Sequence, residues 1–171
     1  MGETEVSMAV AAVGRMKDRA CRQLADEYLK RLSRYGSIEE LEVPDLPEPA
    51  GSNARDGAAL SRQEEQVRLR EGEALLRRLR DGDWVIALTP TGRKLDSPGF
   101  AAHLAELRNR GAGRIVFLIG GSLGLGQNVL KRAQEEISLS DLTFPHQLAR
   151  VILLEQLYRA EKILAGERYH K

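Results

Sequence analysis

Four glycines fall within seven residues in Gly120-Gly121-Ser122-Leu123-Gly124-Leu125-Gly126, directly after the apolar run Arg114–Ile119. A backbone this free of side chains can turn sharply and approach a ligand closely, although the same glycines would also serve a tight turn with no ligand. The nucleotide-binding versions of such loops do not fit. A dinucleotide fingerprint laid on Gly124 and Gly126 needs Gly or Ala where Val129 stands, and no Gly-Lys-Ser/Thr is present for a phosphate loop. Downstream, Ser138-Leu139-Ser140-Asp141-Leu142-Thr143-Phe144-Pro145-His146 sets hydroxyls, a carboxylate and an imidazole at the opening of a helix that begins with proline. The chain ends Arg168-Tyr169-His170-Lys171. Its ring, imidazole and two cations suit stacking a base and holding phosphate, and the same four residues would otherwise read as a frayed terminus.

The three histidines are His103, His146 and His170, and none sits in a cluster with carboxylates at metal-ligand spacing. No metal is expected. His103 reads as an ordinary surface residue on the charged face of its helix. Cys21 is the single cysteine, which excludes an intrachain disulfide and multi-cysteine zinc sites and fits a reducing compartment, with the cytoplasm as the default.

The elements that must position these residues alternate. Val6–Val13 is a buried strand, and Cys21, Leu24, Ala25, Tyr28, Leu29 and Leu32 recur at helical spacing. Ile38–Val43 reads as a strand nearer the sheet edge, and 44–56, with Pro44, Pro47, Pro49 and Gly51, as a mobile loop. Leu60–Arg80 is a solvated helix with Glu64–Arg68 and Glu73–Arg77 pairs outside and Val67, Leu75, Leu76 and Leu79 inside. Trp84–Thr89 is a strand, Ser97-Pro98 starts a helix with Phe100, Leu104 and Leu107 inward, and Arg114–Ile119 is a buried strand. This is an α/β pattern with a parallel sheet flanked by helices. Ligands of such sheets sit at the carboxyl ends of the strands, so the turns after Leu88 and Ile119 are where chemistry is expected.

The final helix, from Pro145 to about Gly166, is apolar on more than one face through Val151, Ile152, Leu153, Leu154, Leu157 and Tyr158, which predicts a homodimer. With 171 residues and 42% hydrophobic content the chain is read as one domain over 1–171. Its 26 basic and 25 acidic residues nearly cancel, so any RNA contact must be local rather than a general attraction to polyanions. Met8–Val13 is too short to span a membrane, and Arg15, Lys17 and Asp18 follow it at once.

Taken together, Ile119–Leu125, Leu139–His146, Arg150, Glu155–Ala160 and Tyr169-His170-Lys171 closely resemble the ribosomal RNA large subunit methyltransferase H family of the SPOUT superfamily. Ala12-Val13-Gly14 and Glu27–Leu32 resemble its opening strand and helix. The resemblance covers nearly the whole chain. It implies a homodimer with a C-terminal trefoil knot, against the general avoidance of knots. It also implies S-adenosylmethionine as methyl donor and N3 of a pseudouridine in 23S ribosomal RNA as acceptor, methylated on the assembled ribosome, with no metal and no membrane. By motif, the donor's contacts fall on Leu88, Gly120, Leu139, Ser140, Asp141, Leu142, Thr143 and Phe144. His146, Arg150, Tyr169 and His170 are the catalytic set that positions the nucleotide, with Arg168 and Lys171 on phosphate. The residues before Val6, the 44–56 loop, and Leu123 with Gly126 depart from the family pattern. The identity of the proton acceptor is open between a neutral histidine and an arginine that favours the anion. A non-catalytic ribosome-binding or RNA-binding protein on the same scaffold is the alternative. An oxidoreductase would need the dinucleotide fingerprint that is missing.

Overall fold

Alternating apolar runs and amphipathic helices resolve into ten elements around one parallel sheet, seen in a computed structural model that describes residues 6–50 and 57–169. They are β1 (Val6–Val13), α1 (Arg19–Leu32), β2 (Gly36–Val43), α2 (Gly57–Leu76), β3 (Trp84–Lys94), α3 (Ser97–Asn109), β4 (Ile115–Ile119), α4 (Gln127–Arg132), β5 (Glu135–Ser138) and α5 (His146–Leu164). The strand order is β2-β1-β4-β3-β5, and every pairing between strands is parallel.

The side-chain period of two divides the core into two layers. Met8, Val10 and Ala12 of β1 join Phe117, Phe100, Leu104, Leu153 and Leu157 on the face covered by α1, α3 and α5. Ala9, Ala11 and Val13 face the other way, onto Leu75 of α2 and Val129 of α4. Asp18 caps α1 by accepting from Cys21 N–H at 2.8 Å, and Asp96 caps α3 by accepting from Gly99 N–H at 2.7 Å. The α3 cap is one residue earlier than the Ser97 expected from sequence.

Several sequence expectations need correction. The short elements α4 and β5 were not anticipated, because Glu135–Ser138 has only Ile137 as a strand-like apolar residue. β3 does not end at Thr89: it pairs with β5 as far as Leu88, breaks register, and rejoins at Arg93. α2 stops at Leu76, and Arg68 pairs with Glu65 rather than Glu64. His103 is not an ordinary surface residue. Its Nε2 lies 2.8 Å from Glu135 Oε1, which also accepts Trp84 Nε1–H at 3.0 Å, so it fastens α3 to the edge strand β5.

Of the 44–56 loop, residues 44–50 are outside helix and strand, and Leu46 N–H donates to Glu71 Oε1 at 3.0 Å; the remainder lies outside the described residues. Among the described residues no helix is long and apolar enough to cross a membrane, and no His, Cys, Asp and Glu group could hold a metal.

Candidate active site

Parallel strands bring their carboxyl ends to one edge, and three backbone segments meet there. Leu88 stands where β3 leaves its pairing with β5, Gly120 follows β4, and residues 139–145 connect β5 to α5. Leu88, Gly120 and all of Leu139–Phe144 line one open cleft of about 200 Å³, together with His146 and Ala149. Every residue nominated as a methyl-donor contact is therefore in one place. A second cavity of about 450 Å³ shares Leu88, Leu139, Ser140 and Phe144 with it and extends toward Phe100 and Gln156. Together they reach the size of small-molecule sites, roughly 300–1,000 Å³.

The cleft wall is mostly backbone. Gly124 has φ +83°, a left-handed conformation that side chains rarely adopt, and Gly124 N–H donates to Gly121 O at 3.0 Å to close the turn. A Cβ on Gly120 would come within 2.6 Å of the Gly124 carbonyl carbon. Gly120 is thus required by the loop itself, and a larger residue would break the turn before it filled any ligand space. Residues 139–145 belong to no helix or strand, which leaves backbone N–H and C=O groups for a ligand. Locally, Ser138 Oγ donates to Ser140 O at 3.0 Å and Leu142 N–H to Ser140 Oγ at 3.0 Å. The Asp141 carboxylate faces outward and pairs with Lys94.

A third cavity of about 350 Å³ adjoins the cleft across Gly121 and His146. Arg15, Lys17, Asp45, Glu71 and Arg150 border it as well. His146 opens α5 and is exposed at the junction of the two spaces. Arg150, one turn further on, is 1% exposed. Its guanidinium donates to Glu42 Oε2 at 2.9 Å and to Gly14 O at 3.2 Å, and its Nη2 lies 3.0 Å from Glu40 Oε2 without hydrogen-bond alignment. Burial alone would raise the Glu42 carboxyl; hydrogen bonds from Arg150 and from Met16 N–H, at 2.8 Å, outweigh it and hold Glu42 below its ordinary value. Arg150 thus ties α5 to the β1 and β2 ends within its own chain.

The tail residue Tyr169 is not brought to this cleft by its own chain. Its ring packs edge-on against Tyr158, centroids 5.0 Å apart, with the Arg159 guanidinium 4.7 Å from its centroid. Tyr158 lies about 18 Å along α5 from His146 at 1.5 Å per residue. Tyr28 and Tyr35 join the cluster, at the amino ends of the strands. Arg168 is exposed, while His170 and Lys171 lie outside the described residues.

Sequence reading missed Glu71, which is 5% exposed on α2 and faces the third cavity. A buried carboxylate in a helix rich in Glu and Arg carries no periodicity signal of its own.

The geometry agrees with what the chain is similar to. Residues 6–170 match the model of a family described as "Predicted SPOUT methyltransferase". A ribosomal RNA large subunit methyltransferase H from Ruminiclostridium cellulolyticum is 44% identical over 166 residues, covering 97% of this chain and all of the relative. One of the same name from Bifidobacterium animalis subsp. lactis is 45% identical with the same coverage. Among solved structures, a probable methylase family protein from Haemophilus influenzae Rd KW20 superposes with a TM-score of 0.53 at 14% identity, over 97% of this chain and 71% of that one, a likeness of fold.

Proposed function

The chain belongs to the SPOUT methyltransferase family, alongside the ribosomal RNA large subunit methyltransferases H, and on that premise we propose that it methylates N3 of a pseudouridine in 23S ribosomal RNA within the ribosome. S-adenosylmethionine, when bound, supplies a sulfonium-activated methyl group. The observation that carries the reading is the convergence of Leu88, Gly120 and Leu139–Phe144 on one cleft. These are the segments that the family resemblance nominates, and they are far apart in sequence.

The protein's task in such a transfer is alignment, because the methyl group is already electrophilic. The cleft would hold the donor against backbone groups of the Gly120 loop and the 139–144 segment. The neighbouring cavity, with His146 at the shared wall and Arg15 and Lys17 at its border, suits a nucleotide and its phosphate in a protein of net charge +1. A non-catalytic RNA-binding protein would leave the cleft without a use.

We further propose a homodimer, on different ground from the sequence argument. Val151, Leu153, Leu154, Leu157 and Tyr158 are buried within the chain and are not free for a partner. Besides Leu24, Ile163 and Leu164, the exposed large apolar side chains lie at the start of α5 and just before it, where Leu142 is 73% and Leu148 40% exposed. A partner there would adjoin the donor cleft, and its Tyr169–His170 tail could then complete the nucleotide site with His146, while Arg168 and Lys171 meet phosphate. The trefoil knot implied by the family belongs to the same proposal.

Titration calorimetry with S-adenosylmethionine tests the cleft. Ala149 lines the cleft from α5, and Ala149→Phe should weaken binding at least about tenfold, or 1.4 kcal/mol, while the protein stays folded. Unchanged binding in folded Ala149→Phe would place the donor elsewhere.

A further inference from the structure

The third cavity is bordered by one carboxylate, Glu71, that the chain's own hydrogen bonds use only in part. Glu71 lies in the second half of α2 and borders this cavity, beneath Gly121 of the glycine loop. A Cβ built on Gly121 would lie 3.1 Å from Glu71 Oε2, so the loop passes closely over the carboxyl. Oε1 accepts Leu46 N–H at 3.0 Å, whereas Oε2 is buried with no hydrogen-bond partner. Among the described residues no cation is within ion-pair distance of it. A buried carboxylate left half-satisfied is costly, and such atoms call for an explanation by a ligand or a proton.

We propose that Glu71 is the proton acceptor for the pseudouridine N3–H, and that the cavity bounded by Glu71, Gly121 and His146 receives the base. This rests on the methyltransfer reading above and names the general base that it leaves open. In the step, the N3–H bond breaks and the proton passes to Oε2. The electron pair stays on N3 and forms the bond to the methyl carbon, and the methyl–sulfur bond breaks with its electrons going to sulfur. The proton leaves Glu71 for solvent when the product departs.

The surroundings favour this direction of transfer. Burial raises the Glu71 carboxyl above its ordinary value. Asp45 and Glu48, from the segment after β2, raise it further, while Leu46 N–H and His146, from α5, oppose them. Arg15 and Lys17 border the same cavity from the β1–α1 turn, and Arg150 is engaged by Glu42 and Glu40. A carboxylate that gains by losing its charge is suited to taking a proton from a weakly acidic imide. His146 is then free to hold the base in place.

The experiment compares the full-length wild type with Glu71→Gln and Glu71→Asp in single-turnover methylation of ribosomes lacking the modification, at saturating S-adenosylmethionine, across the pH range in which ribosomes stay intact. Calorimetric donor affinity and thermal unfolding without ligand are measured beside it. Gln keeps an oxygen for Leu46 N–H but cannot take the proton. The proposal expects Glu71→Gln to lose about 10²-fold or more in rate, with donor affinity unchanged and a melting temperature no lower than wild type. The wild-type rate should level off as pH rises, whereas that of Glu71→Gln should keep rising as the nucleotide ionises by itself. Glu71→Asp should keep the wild-type shape at a lower rate. A Glu71→Gln rate equal to wild type, an equal loss at every pH with the same profile, or a loss of donor affinity would overturn it. No labelling by the wild type would instead defeat the methyltransfer reading.

Discussion

Each edge of the sheet buries one arginine, and the two are matched very differently. At the amino edge Arg114, which leads into β4, grips Asp83 through two hydrogen bonds of 3.0 and 2.7 Å, meets Glu39 Oε2 at 2.7 Å and donates to Arg78 O at 3.1 Å. At the carboxyl edge Arg150 Nη2 and Glu40 Oε2 form an ion pair at 3.0 Å without hydrogen-bond alignment, and Arg150 Nε and Glu71 Oε2 have no hydrogen-bond partner. Arg108 Nε, on α3, is the other such side-chain atom among the described residues. A folded chain closes buried polar networks where only stability is at stake. Incomplete ones persist where a ligand, a partner or a proton completes them. By that comparison the Arg114 network at the amino edge is structural, and the carboxyl edge suits the proposed reaction site.

The sharpest way to break the comparison is at the amino edge. Asp83→Ala strands the Arg114 charge in the interior and should cost about 3–5 kcal/mol in denaturant unfolding, leaving donor affinity of the folded fraction unchanged. Arg150→Met should cost less, about 1–3 kcal/mol, because Glu42 is partly hydrated, yet it should lower methylation more than it lowers stability. Equal effects on both would remove the distinction between the edges.

The two edges should also respond to acid with opposite sign. Burial would raise Asp83, but Arg114 and Arg80 N–H hold it below its ordinary 3.8, so its contribution is complete above that pH and is lost as pH falls through the lower folded value. Glu71 is raised above its ordinary 4.5, so its contribution is present below that pH and lost as pH rises through the folded value. Glu71→Gln should therefore gain about 1 kcal/mol of stability at neutral pH, and Asp83→Asn should weaken acid sensitivity below 3.8. Thermal melts across pH check both. Smallest of all, deleting residues 168–171 should cost about 1 kcal/mol or less, the worth of one aromatic contact on Tyr158. Donor affinity should stay while ribosome methylation falls, and full activity would make the tail a frayed terminus.

Most of the frame was legible because it is written in periodicity. The uniform apolar runs of β1 and β4 demand a sheet covered on both faces, and Phe100, Leu104 and Leu107 mark the inward stripe of α3. The three segments that meet at the cleft were legible from motif and from the rule about strand ends. What escaped is set by tertiary context. β5 is a strand because β3 offers it an edge, while its own four residues have little strand character. His103 looked solvated until Glu135 of that strand was placed beside it. The apolar side chains of α5 looked surplus for one sheet face, yet α1 and α3 flank the helix and consume them. Glu71 read as an ordinary charge, and Arg150 stood out by motif alone, since burial of a charged residue leaves no trace in a helix pattern.

The most direct test of the account is to incubate the protein and methyl-labelled S-adenosylmethionine with ribosomes that lack the modification, digest the RNA, and locate the label by mass spectrometry. The account predicts label on N3 of a single pseudouridine in 23S ribosomal RNA. An absence of label, or label on a ribose, a ring carbon or another RNA, would contradict it.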